Sequence, residues 1–157
     1  MDPVTIANEA TLIYDNITKN SNAVVTRILS PYDLTATKEA LLDSYTPGQT
    51  ITYITRVENT GSASLYNLTI VDDLANGTLQ YIDTSIEGYL NGPPIEVDVQ
   101  KTANTVTFKI DNVLNPNDNV LIIFETTTPT TNPEKITNTQ TITANGGSTT
   151  GPIVTAK

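Results

Sequence analysis

The sequence predicts an all-β protein whose antiparallel strands pack as a sandwich of two sheets. Short runs of alternating apolar and polar residues recur along the chain, and turn-forming residues separate them about every 8 to 12 residues. Val, Ile and Thr, which favour strands, fill many of these runs, and only 16% of the residues are charged. No long stretch has an apolar stripe with helical spacing, so we do not expect helices covering an open sheet.

The first strand of the main pattern is LTATKEAL, residues 34–41. Side chains alternate between the two faces of a strand, so Leu34, Ala36 and Lys38 share one face. The face of this strand that carries Leu34 and Ala36 therefore also carries the ammonium group of Lys38. The overlapping run KEALLDSY, residues 38–45, is the one place where a helical turn is expected.

The following runs extend the pattern of buried faces. ITYITRVEN places Tyr53 and Thr55 on the same face as its aliphatic residues, and LYNLTIVDDL brings Asp72 onto the face of Leu68 and Ile70. A second charged residue is therefore predicted to point inward. Further strands are expected in residues 79–82, in IEVDV (95–99), in TVTFKI (105–110), in NVLIIFETTT (119–128) and in the closing pair KITNTQTITA (135–144) and PIVTA (152–156).

An internal repeat defines the expected domains. Four residues match four others at a constant offset of 130, and Val24 matches Val154 at the same offset. The matched sets are Ile6, Asn8, Ala10 and Leu12 with Ile136, Asn138, Gln140 and Ile142. We therefore predict that residues 1–33 are the closing hairpin of a preceding repeat and that residues 34–157 are one complete repeat. The chain is then expected to be a fragment of a longer array.

Composition disfavours several functions. Lys and Arg number 8 against 17 Asp and Glu, a net charge of −9, which disfavours binding to nucleic acid. The absence of His and Cys removes the usual zinc ligands, disulfides and the commonest general base, so we expect neither an enzyme nor a cofactor. No apolar run is long enough to span a bilayer, so membrane insertion of this fragment is not expected.

Three motifs give the chain a family resemblance. TPGQTITYITRVENTGSASLYNLTIVDDL, LNPNDNVLIIFETTT and KITNTQTITANG resemble the conserved repeat of bacterial surface proteins known as domain of unknown function eleven. Ala75 and Gln140 depart from that family's pattern, which has Pro and Ala there. The resemblance implies an immunoglobulin-like sandwich repeated in tandem on extracellular, wall-attached proteins, mostly of Gram-positive bacteria. Neighbouring repeats of the same chain are then the expected partners.

The chain also resembles pilin and adhesin domains that join a first-strand Lys to a last-strand Asn through an amide. By that resemblance, Lys38 and Asn138 are the cross-linking residues and Asp72 is the assisting acid. Burial disfavours charge, so we expect a neutral, nucleophilic amine beside a protonated carboxyl. The alternative is an unreacted cluster in which Lys38 and Asp72 form an ion pair and Asn138 hydrogen-bonds to them.

Other readings stay open from the sequence. Asp72 with Asp73, or the NPNDN run at 115–119, are candidate calcium ligands, although NPND is also ordinary turn chemistry. The predicted function is a structural stalk or spacer repeat of a cell-surface protein. The alternative is an adhesin module that binds a host or matrix ligand, which we expect to show a groove or exposed aromatic residues. Only 6% of the residues are aromatic, which favours the spacer.

Overall fold

The computed structural model describes residues 4–15, 17–22, 24–28, 30–131 and 135–156. The chain divides into two compact units, Met1–Pro31 and Tyr32–Lys157. In the first unit, β1 (Val4–Asn8) pairs with β4 (Val24–Ile28), and β2 (Thr11–Tyr14) pairs with β3 (Ile17–Asn20). Both pairings are antiparallel. Within the described ranges, no helix is long and apolar enough to cross a membrane.

The second unit is a sandwich of two antiparallel sheets. Its elements are β5 (Leu34–Ala40), β6 (Thr50–Asn59), β7 (Leu65–Asp72), α1 (Leu74–Gly77), β8 (Gln80–Tyr81), β9 (Glu87–Leu90), β10 (Pro94–Ile95), β11 (Asp98–Lys101), β12 (Val106–Ile110), β13 (Asn119–Thr127), β14 (Gln140–Gly146) and β15 (Ile153–Thr155). The first sheet has the strand order β10-β9-β13-β6-β5, with β8 also paired to β13, and the second has the order β11-β12-β7-β14-β15. The predicted all-β class is confirmed.

Alternation of side chains builds the core between the sheets. In β6, β12 and β13 every second residue is buried, as the sequence pattern predicts. Phe124 on β13 stacks on its cross-strand neighbour Tyr53 at 5.4 Å between ring centroids, and it meets Phe108 of the other sheet at 5.0 Å. This aromatic contact joins the two layers at the centre of the sandwich.

Two local predictions were wrong. The run KEALLDSY adds no helical turn, because β5 continues to Ala40 and bends follow it. The short helix is instead α1, where Asp73 caps the first turn by accepting from the Ala75 amide. The run IEVDV is not one strand, because β10 ends at Ile95 in the first sheet and β11 begins at Asp98 in the second.

Strand β9 was not predicted, because Gly88 interrupts any alternation in EGYL. Gly88 lies against the first sheet's interior, where a Cβ atom would come within 2.4 Å of the Val97 side chain and 3.4 Å of Ile122. A residue without a side chain is therefore needed at position 88, beside Val97, which lies in the segment that crosses from one sheet to the other. The strand is set by this close approach and not by its own hydrophobic pattern.

The pairing within the N-terminal unit differs from that of its predicted counterpart. Ala144 of β14 pairs with Val154 of β15. At the offset of 130, the corresponding pair in the N-terminal unit would be Tyr14 with Val24. The structure pairs Tyr14 with Ile17, and Val24 with Asn8. Leu12, Ile13 and Ile17 are exposed in this unit. That residues 1–33 close a preceding repeat stays a prediction.

We expect Phe124→Ala to destabilise the sandwich by about 3 to 5 kcal/mol, since it opens a cavity at the contact between the sheets. Urea denaturation measures the change. The matched control is Ile123→Ala on the same strand, whose side chain points to the outer face and is only partly buried. Equal losses in both variants would contradict the placement of the core.

Candidate functional site

The site is built around the buried carboxyl of Asp72 at the end of β7. Its side chain has no exposed surface, and it receives three hydrogen bonds. The Leu74 amide donates to Oδ1 at 3.0 Å, while Lys38 Nζ at 2.6 Å and Gln140 Nε2 at 3.1 Å both approach Oδ2. The donors come from both sheets, so Asp72 connects the two layers through its side chain.

Lys38 reaches Asp72 from the edge strand β5 of the opposite sheet. Its side chain is 15% exposed, and its ammonium nitrogen lies 4.8 Å from the ring centre of Tyr53. Burial lowers the pKa of Lys38 below its ordinary value, although the attraction and hydrogen bond of Asp72 oppose this effect. Burial therefore favours the neutral amine, which is the nucleophilic form.

The run KITNTQTITA was predicted to be one strand that includes Asn138, but the strand it forms, β14, begins only at Gln140, so Asn138 lies just before it. Its Oδ1 and Nδ2 atoms are both buried, and neither has a hydrogen-bond partner among the described residues. Burial raises the pKa of Tyr53, and the nearby Asn138 carboxamide partly opposes that rise without forming a well-oriented hydrogen bond. A buried carboxamide without hydrogen-bond partners lowers the stability of the folded chain.

Lys38, Tyr53 and Asn138 line the same open groove at one end of the sandwich. The groove has a volume of about 720 Å³, and its walls come from β5, residues 42–45, β6 and residues 135–138. Lys38 contacts Asp72 directly and lines the same groove as Asn138. The three predicted site residues therefore lie in one part of the sandwich.

Sequence reasoning missed two polar residues that complete the site. Gln140 is the cross-strand neighbour of Asp72, and Thr55 is the neighbour of Lys38. Thr55 Oγ1 lies 3.0 Å from Gln140 Oε1 and 2.8 Å from Nε2, so these residues also join the two sheets. The inward parity of both residues was visible in the sequence, but the register that brings them together was not.

Asp73 anchors the segment that carries Asn138. Its carboxylate accepts from the Thr139 amide at 3.1 Å and from the Thr139 hydroxyl, and its own amide donates to the Thr139 carbonyl. Burial by itself acts to raise the pKa of Asp73, but the hydrogen bonds from Thr139 and Ala75 hold it below its ordinary value. These bonds fix the backbone one residue beyond Asn138.

The candidate calcium ligands are used differently. Asp72 and Asp73 take part in the contacts just described, and Asp118 of NPNDN accepts from the Asn91 side chain and the Asn115 amide, both at 2.7 Å. Among the described residues, no three carboxylate, His or Cys side chains are grouped so as to hold a metal ion. The NPNDN run therefore acts as a turn in this structure.

The fold is similar to that of several solved surface proteins. The chain matches the pilus backbone protein RrgB of Streptococcus pneumoniae (TM-score 0.54, 11% identity, 73% of this chain and 52% of that chain). It also matches BcpA, the major pilin subunit of Bacillus cereus (TM-score 0.55, 12% identity, 96% and 48%). A third match is the collagen-binding domain of the surface protein RspB of Erysipelothrix rhusiopathiae (TM-score 0.55, 13% identity, 97% and 53%).

These likenesses are of the fold. The chain spans about half the length of the structures it matches. No protein-family model matches it, and no curated protein matches it significantly. The sandwich of pilin and adhesin domains is therefore shown, whereas membership of the conserved surface repeat family stays a prediction.

We expect Asp73→Asn to lower the free energy of unfolding at neutral pH by about 1 kcal/mol, since it removes the negative charge and the oxygen that accepts from the Thr139 hydroxyl. Because the pKa of Asp73 lies below its ordinary value of 3.8, its stabilising effect is complete above pH 3.8 and is lost as the pH falls further. The difference between the variant and the original chain in urea should therefore shrink in strong acid. Exposed Asp111, changed to Asn, is the control. A difference that grows in acid would contradict this assignment.

Proposed function

We propose that this chain contains a structural spacer repeat of a bacterial cell-surface protein, stabilised by an amide bond between Lys38 and Asn138. The location is extracellular, on the wall or surface of a Gram-positive cell. One observation carries the proposal: an ion pair of partly buried Lys38 with buried Asp72 and an unpartnered buried carboxamide lie at the same end of a sandwich with the fold of pilin domains.

The proposed chemistry uses each of the three groups in turn. Asp72 accepts a proton from Nζ of Lys38, leaving a neutral amine that attacks Cγ of Asn138. The protonated Asp72 stabilises the developing oxyanion by hydrogen bonding and passes that proton to Nδ2, and the Asp72 carboxylate then takes the second proton from Nζ. The Cγ–Nδ2 bond breaks, ammonia leaves through the open groove, and an Nζ–Cγ amide remains. Folding supplies the proximity, and each chain reacts once.

The cross-link would tie together elements that are far apart in sequence. It closes a loop of about 100 residues, for which chain entropy gives about 4.7 kcal/mol of stabilisation. It also joins the edge strand β5 of one sheet to the segment entering β14 of the other. The bond resolves the unpaired state of Asn138 as well, because the carboxamide becomes part of the link.

The second candidate is an adhesin module. Its support is the groove beside Lys38 and Asn138, which is lined by Tyr45 and Tyr53, together with the fold shared with the collagen-binding domain of RspB. Binding of the immobilised chain to collagen and other matrix proteins tests this candidate. Saturable binding that is lost in Tyr45→Ala would favour the adhesin, and its absence favours the spacer.

We expect the intact mass of the folded chain to be lower than its sequence mass by one ammonia. Lys38→Ala and Asn138→Ala should each restore the full mass, because each removes one partner of the bond. Asp72→Ala should prevent or greatly slow the loss, because it removes the proton acceptor. Peptide mapping should recover a branched peptide that contains Lys38 and Asn138.

The matched controls are Lys101→Ala and Asn112→Ala, which change exposed residues of the same types. Both should retain the mass deficit, although Lys101 pairs with Asp83 at the surface. An original chain with its full sequence mass would refute the cross-link. The unreacted polar cluster would then be the correct description of the site.

The cross-linked chain should also resist proteases longer than the Asn138→Ala variant does. The free energy of unfolding of the variant should be lower by about 2 to 5 kcal/mol. Timed proteolysis and urea titration measure the two effects. Asn112→Ala again serves as the control. Equal protease resistance in all three chains would show that the link does not stabilise the fold.

A further inference from the structure

Gln140 occupies a position that the cross-linking residues do not explain. It is the cross-strand neighbour of Asp72, and its carboxamide lies between the Asp72 carboxyl and the Thr55 hydroxyl. The same oxygen of Asp72 faces both Gln140 and Lys38. A proton that passes from Lys38 to this oxygen therefore lies next to the Gln140 carboxamide.

The carboxamide of Gln140 suits both protonation states of Asp72. As a carboxylate, Oδ2 accepts from Nε2 at 3.1 Å, while the Thr55 hydroxyl donates to Oε1 at 3.0 Å. When Oδ2 carries a proton it needs an acceptor, which a flipped carboxamide supplies through Oε1. Nε2 then donates to Thr55 Oγ1, which lies within 3.0 Å of both ends of the group.

We propose that Gln140, oriented by Thr55, is a positioning residue that holds the Asp72 carboxyl in place for cross-linking and flips to follow its proton. This inference rests on the proposed Lys38–Asn138 bond. The Leu74 amide fixes Oδ1, and both Lys38 and Gln140 contact Oδ2, so Gln140 is the side chain that still holds Oδ2 once Lys38 has given up its proton. After the reaction Lys38 no longer carries a charge, and Gln140 keeps the buried Asp72 paired.

The test measures the rate of ammonia loss. Chain isolated in denaturant from inclusion bodies is diluted into folding buffers from acid to alkaline pH, quenched, and weighed by mass spectrometry. Gln140→Met keeps the length of the side chain but neither donates nor accepts as an amide does. We expect it to form the same bond at a rate lower by about tenfold to a hundredfold, the effect of misplacing a catalytic group. Gln100→Met, at an exposed position, is the control.

The pH profile separates positioning from simple stability. In Gln140→Glu, the introduced carboxyl can donate to Asp72 only while it is protonated. As the pH is raised, the rate of ammonia loss should therefore begin to fall at a lower pH in this variant than in the original chain. Circular dichroism should show that the variant still folds after the new carboxyl has ionised. A purely structural role would slow the reaction without changing the shape of the profile, and that result would overturn the proposal.

Thr55→Val provides an independent variant if Gln140→Met does not fold. Loss of the hydroxyl removes one partner of the carboxamide, so the rate should fall by about two- to tenfold. Thr107→Val, on the outer face of β12, should leave the rate unchanged.

The remaining outcomes are distinct. An unchanged rate in both Gln140→Met and Thr55→Val would overturn the positioning role alone. Ammonia loss that persists in Asn138→Ala but disappears in Gln140→Met would make Gln140 the reacting amide and overturn its positioning role. An original chain that never loses ammonia would refute the cross-link and, with it, this inference.

Discussion

The buried carboxyl of Asp72 is the constraint on which the site depends. A carboxylate without surface exposure is tolerated only where donors replace water, and here they come from Lys38, from Gln140 and from the backbone of Leu74. Each donor belongs to a different part of the chain. The hydrogen bonds to this one carboxyl therefore fix the edge strand β5, the start of β14 and the turn after β7 relative to one another.

The same arrangement protects the sheet edge. Strand β5 is the outermost strand of the first sheet, where unpaired backbone groups would otherwise invite pairing with another chain. An inward-pointing lysine on an edge strand is a known means of discouraging such pairing, because the ammonium would be buried without a partner in any shifted register. In this protein the inward lysine has a buried partner, Asp72, in the native arrangement.

The sequence predicted the fold class and the inward direction of Lys38 and Asp72, since both follow from period-two alternation within single strands. It did not predict features that depend on contacts between strands. Gly88 is required in β9 because the Val97 side chain packs where a Cβ atom would lie. Likewise, Gln140 and Thr55 meet only through the register of two different sheets. Asn138 has the expected parity, but anchoring of Thr139 by Asp73 replaces strand pairing there.

The proposed bond between Lys38 and Asn138 would set the extensibility of the second unit. With those residues joined, a pulling force on the ends of residues 32–157 passes through the bond and bypasses everything between them. Only residues 32–37 and 139–157 could be drawn out, giving about 90 Å of slack at full extension. An unlinked unit of the same length would yield about 450 Å. A chain of such repeats would behave as a nearly inextensible tether.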